Sequence, residues 1–242
     1  MTNANVDILV AERFIALQSP LGRWRLIGYV WLKRLSWRWL VSGTLWAKRL
    51  LDFVASMVLL VLLSPLFLLI ALLIKLEDGG PVFFVQTRVG KDGYHFRMWK
   101  FRSMYVNAEQ RLKKLLGGNQ HSDGVTFKMK NDPRITRVGR LLRRSSMDEL
   151  PQVFNVLIGH MSLVGPRPPV PREVALYSPA ERRRLAVTPG ITCLWQIGGR
   201  AEIDFSGQVQ LDVQYIESRS FWGDARILLK TIPAVLSGRG AY

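Results

Sequence analysis

The 242-residue sequence predicts an α+β protein: a re-entrant membrane helix-break-helix, then a small, mainly helical cytosolic domain with a β-hairpin and interfacial amphipathic helices. Three observations predict it. Phe53 to Ile74 is an uncharged apolar run broken by Ser64-Pro65, both flanks of that run are basic, and short helical periods with one strand pair follow. The segments are 1–47, a Trp/Arg-rich interfacial stretch; 48–77, the membrane helix; and 78–242, the domain that carries the chemistry.

From Leu21 to Leu51, five of the eight tryptophans (Trp24, Trp31, Trp37, Trp39 and Trp46) alternate with Lys and Arg. Membrane interfaces select that mixture, with rings at headgroup depth and cations towards anionic lipid. The 22 residues Phe53–Ile74 would reach about 33 Å as a straight helix, enough to cross a ~30 Å hydrocarbon core. Residues 1–52 carry eight Lys/Arg against three acids, and residues 75–242 carry 26 against 15. The positive-inside rule therefore favours both ends on one side. Pro65 removes a backbone hydrogen bond at mid-helix, and Ser64 can serve the freed carbonyl.

Pro81–Gln86 and Tyr94–Phe101 around Gly90-Lys91-Asp92-Gly93 predict a β-hairpin closed by an Asp-Gly turn. Ala108–Leu116 predicts an amphipathic helix stopped by Gly117-Gly118, residues 119–133 a loop, and Ile135–Arg144 a short basic amphipathic helix. Pro151–Met161 predicts another helix, and Gly165–Pro171, with four prolines around Arg167, an extended stiff segment. Glu173–Ala186 has helical character, Pro189–Arg200 reads as a loop and short strand, and Leu211–Leu236 is helical with interruptions at Gly223 and Pro233.

The formal net charge of +16 suggests an anionic partner: nucleic acid, anionic lipid or a phosphorylated substrate. Cys193 is the sole cysteine, which excludes an intrachain disulfide and a multi-cysteine metal site. His95, His121 and His160 show no metal spacing, and no phosphate loop, dinucleotide fingerprint, Asp-x-Asp pair or nucleophile elbow occurs. Residues 1–20 lack the pattern of a signal peptide.

Against that background Asp148 and Glu149 stand out, flanked by Arg143-Arg144-Ser145-Ser146 and Pro151. Ser146 with Glu149 fits a capping box, and either register puts both carboxylates at a helix N-terminus. They could hold a divalent cation, attack a phosphate, or cap a helix. Arg143 precedes Asp148 by five residues, Arg167 lies between Pro166 and Pro168, and Arg200 follows Gly198-Gly199, whose backbone N–H groups could converge on an anion. Three arginines with a carboxylate pair suggest a diphosphate site with a metal, and Mg²⁺ fits best because it binds through one or two carboxylates plus phosphates and waters.

Lys100-Phe101-Arg102-Ser103-Met104, Asn131-Asp132-Pro133-Arg134, Asp148-Glu149-Leu150-Pro151-Gln152, Met161 to Pro168 and Pro189-Gly190-Ile191-Thr192 follow one another in an order that resembles the bacterial sugar transferases. These are monotopic phosphoglycosyl transferases that start glycan assembly on polyprenyl phosphate. The resemblance covers about residues 48–242, and Lys230 to Val235 with Gly240-Ala241-Tyr242 look most like members that transfer galactose- or glucose-1-phosphate for exopolysaccharide. It implies transfer of a phosphosugar from a UDP-sugar to undecaprenyl phosphate, with release of UMP. It also implies Asp148 as the nucleophile and a Mg²⁺ contact, Glu149 as its partner at the metal or in proton transfer, and Arg143, Arg167 and Arg200 near phosphates and uridine. Ser64-Pro65 matches the break that makes the membrane helix re-entrant. The implied setting is the bacterial inner membrane, with the bilayer as a partner, the catalytic domain on the cytoplasmic face and no nucleic acid; a homodimer stays open. His160 stands where the family usually has an acidic residue and Cys193 where it has glycine. Two other functions compete: a non-catalytic basic membrane adaptor of a glycan-assembly complex, and a membrane-bound nucleic-acid binder.

Overall fold

A computed structural model describes residues 20–108, 110, 132–199 and 202–237, with side chains from Leu45 to Val235 apart from the gaps. The chain forms two compact units, residues 1–48 and 49–242. In the first, the backbone is helical from Pro20, and the side chains of the Trp-rich stretch before Leu45 lie outside the described residues. So do most of the helix expected over Ala108–Leu116, most of the loop expected over 119–133, Arg200, and the closing Gly240-Ala241-Tyr242.

Helix α1 spans Pro20–Asp78, and its part from Leu45 is long and apolar enough to cross a membrane. The backbone stays helical through Ser64-Pro65, where the sequence predicts a helix–break–helix. The reason is local: Ser64 Oγ donates to Val61 O at 2.8 Å, the carbonyl that a residue with an N–H at position 65 would have served. Leu62, Leu68, Leu72 and Leu76 are more than half exposed, whereas Ile70 and Ile74 are buried. The buried pair packs with Phe101 and Leu142, and Leu66, Phe67, Val82 and Val138 lie around them.

β1 (Phe83–Val89) and β2 (His95–Phe101) form the expected antiparallel hairpin. Its tip holds Asp92 and Gly93 at φ 54° and 84°, the left-handed pair that an Asp-Gly turn supplies. α2 (Arg137–Arg144) follows, with its first N–H groups held by Thr136 Oγ1, which accepts from Gly139 N at 2.8 Å, and by Glu77, which accepts from Arg137 N at 2.6 Å. α3 (Gln152–Ile158) ends at Gly159, φ 94°. Phe96 and Met98 of the hairpin pack on Val156 and Met161.

Beyond α3, β3 (Ser162–Val164) pairs in parallel with β4 (Gly190–Thr192); β4 is the short strand expected within Pro189–Arg200, whereas β3 and the pairing have no counterpart in the sequence expectations. Gly165 and Gly190 approach so closely that a Cβ on Gly190 would lie 2.0 Å from Gly165 N. The stretch from Gly165 to Val170, expected to be extended, holds neither helix nor strand, and Pro171 opens the short α4 (Pro171–Val174). Glu173–Ala186 is not one helix. Pro179 disfavours helical backbone at Ser178, and a separate 3-10 turn runs over Glu181–Leu185. Ser178 and Glu181 cap each other reciprocally at its start. α5 (Leu194–Gly198) is also absent from the sequence expectations. α6 (Phe205–Ser218) and α7 (Phe221–Ser237) divide at Arg219-Ser220 rather than Gly223, and α7 continues through Pro233. Val164, Tyr215 and Ile227 form the core between β3 and these two helices.

Candidate active site

The site begins with how α3 is fixed to the hairpin. Asn155, fully buried, donates from Nδ2 to Arg97 O at 2.7 Å and accepts from Trp99 N at 3.0 Å through Oδ1. One side chain thus satisfies two backbone groups on the outer edge of β2, which has no further strand to pair with among the described residues. At the other end of α3, Arg49 donates to Val156 O, which also accepts from Gly159 N, and to Leu157 O, both in the last turn of the helix. The stretch before α3 is thereby held over β2, and Lys100 meets Glu149.

Ser146 (φ 56°) turns the chain back after α2, and Met147–Glu149 form a single 3-10 turn. The Ser146 side chain caps nothing, so the expected Ser146–Glu149 capping box is absent. Glu149 is occupied elsewhere: its Oε1 accepts from Lys100 Nζ at 2.6 Å and from Arg167 Nη1 at 3.0 Å. Burial works to raise the Glu149 pKa, but Arg167 and Lys100 outweigh it and hold the carboxyl well below the usual range. Asp148 is in the opposite state. It is 8% exposed, and burial, reinforced by Glu149, pushes its pKa up while Lys100, Arg143 and Arg167 pull it down. Among the described residues no donor is hydrogen-bonded to its carboxylate. One carboxylate is locked in place and its neighbour is enclosed and surrounded by cations.

Arg143 donates from Nε to Ser103 Oγ at 2.9 Å and contributes its charge to Asp148. Arg167 reaches the dyad from the extended proline segment. Asp148, Glu149, Arg143 and Arg167 therefore share one neighbourhood, while Arg200 lies outside the described residues. The Gly199 N–H donates to Trp195 O at 3.2 Å, so it is not available to an anion there. Sequence reasoning places Lys100 within a motif and gives it no role, yet it bridges to the dyad. The signal is present: Phe96, Met98 and Lys100 fall on one strand face, and a lysine in phase with two buried apolar residues faces the core.

Cys193 is buried with its thiol 3.1 Å from Gln196 Oε1, and burial raises its pKa. His160 packs against Phe96 and Tyr94. Neither belongs to the dyad's hydrogen-bond network.

As a metal site the donor set is sparse. No group of three or more His, Cys, Asp or Glu converges among the described residues. That disfavours zinc, which takes three or four protein ligands. It fits Mg²⁺, which binds through one or two carboxylates and keeps its waters and substrate phosphates.

The sequence model of the bacterial sugar transferase family matches residues 43–238. The galactosyl transferase CpsE of Streptococcus agalactiae serotype III is 54% identical over 166 residues, which are 68% of this chain and 37% of that protein. The exopolysaccharide production protein ExoY of Rhizobium meliloti is 45% identical over 194 residues, covering 79% of this chain and 86% of ExoY. The undecaprenyl-phosphate galactose phosphotransferase of Salmonella typhimurium is 44% identical over 194 residues, 79% of this chain and 40% of its own length. The chain thus spans less than half the length of the streptococcal and Salmonella proteins.

Proposed function

The chain belongs to the bacterial sugar transferase family, and on that premise we propose that it transfers hexose 1-phosphate from UDP-galactose or UDP-glucose to undecaprenyl phosphate, releasing UMP and initiating exopolysaccharide, capsule or O-antigen synthesis. Relatives named as galactose and glucose phosphotransferases of undecaprenyl phosphate support the substrate pair. The observation that carries the chemistry is the asymmetry of the dyad, with Glu149 tied to Lys100 and Arg167 and the Asp148 carboxylate left without a donor among the described residues.

An Asp148 oxygen attacks the sugar-bearing phosphorus in line, the bond to the UMP oxygen breaks, and a phosphosugar-aspartyl acyl phosphate forms. An oxygen of undecaprenyl phosphate then attacks the same phosphorus, the acyl-phosphate P–O bond breaks, and Asp148 returns as carboxylate. Lys100, Arg143 and Arg167 supply positive charge where the phosphoryl oxygens gain negative charge. Glu149 fixes Lys100 and Arg167 in that arrangement. Mg²⁺ held by Asp148 and Glu149 would neutralise diphosphate charge and favour the ionised nucleophile. Arg200 is assigned to the uridine or phosphate side on the family resemblance alone.

The reaction meets a membrane-embedded acceptor, so α1 is assigned as a re-entrant helix bent at Ser64-Pro65, with the catalytic domain on the cytoplasmic face of the inner membrane. Two contacts support the bend. Arg49 and Phe67 both touch α3, at Val156-Leu157 and Phe154, although 18 residues of straight helix rise about 27 Å and seven-residue α3 is about 10 Å long.

The test is UMP release from UDP-sugars by the full chain in detergent with Mg²⁺ and undecaprenyl phosphate, with mass spectrometry of enzyme given donor alone. The phosphosugar adduct is expected on Asp148, and Asp148→Asn should lower turnover by about 10³-fold or more. Full turnover by that variant would remove Asp148 as the nucleophile.

A further inference from the structure

β-strand alternation puts Gln86 and Arg88 of β1 on the same hairpin face as Lys100 of β2, the face turned towards the dyad. Arg88 does not reach out to solvent. Its Nη1 donates to Pro168 O at 2.9 Å, its Nη2 donates to Gln86 Oε1 at 2.8 Å, and its Nε is buried without a hydrogen-bond partner among the described residues. The next residue continues the contact, with Val89 N donating to Pro169 O at 2.9 Å.

The opposite end of the proline segment is held by β4: Gly165 N donates to Thr192 O at 3.0 Å, and Gly190 N donates to Pro166 O at 2.9 Å. The carbonyls on either side of Arg167 are therefore each fixed, Pro166 O by β4 and Pro168 O by Arg88. Proline cannot donate, so residues 166, 168 and 169 offer only carbonyls by which to be held. A neutral donor could satisfy one carbonyl. A second guanidinium beside Arg167 costs more: burial, with Arg167 next, pushes the Arg88 pKa down to about 10, while Glu173 and Glu149 oppose the shift. Beside it, Arg167 Nη1 donates to Glu149 Oε1, so the two guanidiniums are held on separate partners, Arg88 on the Pro168 carbonyl and Arg167 on the carboxylate.

We propose that Arg88 is a positioning residue for the transfer reaction, clamping the Pro168 carbonyl and directing Arg167 at the donor diphosphate. The inference rests on the proposed function above, because it needs Arg167 to act on the donor.

The experiment is a double-mutant cycle on the full chain in detergent, reading single-turnover UMP release, KM for each substrate and melting temperature. Arg88→Met should lower kcat/KM for UDP-sugar by about 10- to 100-fold, mostly through donor KM, with the KM for undecaprenyl phosphate unchanged. In an Arg167→Ala background the same substitution should cost less than about 3-fold, since its target is gone. Arg88→Lys, which keeps the charge and one donor, should restore most of the activity. If Arg88→Met fails to fold, Arg88→Lys carries the cycle, with a smaller loss expected only when Arg167 is present. Additive losses, or equal increases in both KM values, would overturn the role of Arg88. If the wild-type chain releases no UMP from any UDP-sugar, the proposed function fails and this inference with it; additivity in an active enzyme sinks the inference alone.

Discussion

At the dyad, burial acts on two neighbouring carboxylates, and among the described residues only Glu149 is compensated by direct donors. In the proposed mechanism Asp148 must be ionised to attack phosphorus, and burial with Glu149 raises its pKa while Lys100, Arg143 and Arg167 lower it. Lys100 is the cation that opposes that shift most strongly. Removing it favours the protonated form further, and Lys100→Met should therefore move the acid limb of donor-only labelling to higher pH. A limb that stays put or moves down would show that Lys100 does not tune the nucleophile. The sequence alone is enough to single out Asp148, Glu149, Arg143 and Arg167, because a carboxylate pair and proline-flanked or nearby arginines are local patterns. Lys100 and Arg88 are not legible in that way. Their roles depend on which hairpin face meets the dyad, a contact across 49 residues in one case and 80 in the other.

Among the elements, the hairpin, α2 and α3 are legible because turn residues, a capping threonine and periodic apolar residues fix them locally. The β3–β4 ladder is not. Its strands are three residues each, and parallel pairing is encoded by the close approach of Gly165 and Gly190 rather than by alternation. Ser178-Pro179-Ala180-Glu181 does contain the signal for a second helical start, which the run of charges around it obscures. The C-terminal end of α3 yields a prediction of its own. Arg49→Ala removes the side-chain donor shared by Leu157 O and by Val156 O, which keeps only the Gly159 N–H, and unfolding measurements should show a loss of about 1–3 kcal/mol. A loss near zero would mean that water caps this helix equally well.

For the whole molecule, the proposed topology places both flanks of the apolar run on one side of the bilayer. Cysteines introduced at Ser42 and Lys91 should react with a membrane-impermeant thiol reagent from the same face of sealed vesicles. Native Cys193 will contribute little background, since it is buried and its thiol pKa is raised. Labelling from opposite faces would establish a straight span instead. The distribution of Lys and Arg along the chain is enough to suggest this topology, whereas the helical continuity through Pro65 depends on one serine hydroxyl.

The grip of Arg49 on α3 has a practical corollary, because Asp52 also accepts from Leu163 N, and Ile70 and Ile74 share a core with Phe101 and Leu142. The greasy helix is part of the fold that holds the candidate site and cannot be treated as a leash. Trimming it to obtain a water-soluble enzyme would strip a keystone from the fold, so detergent or lipid must accompany this protein through every preparation.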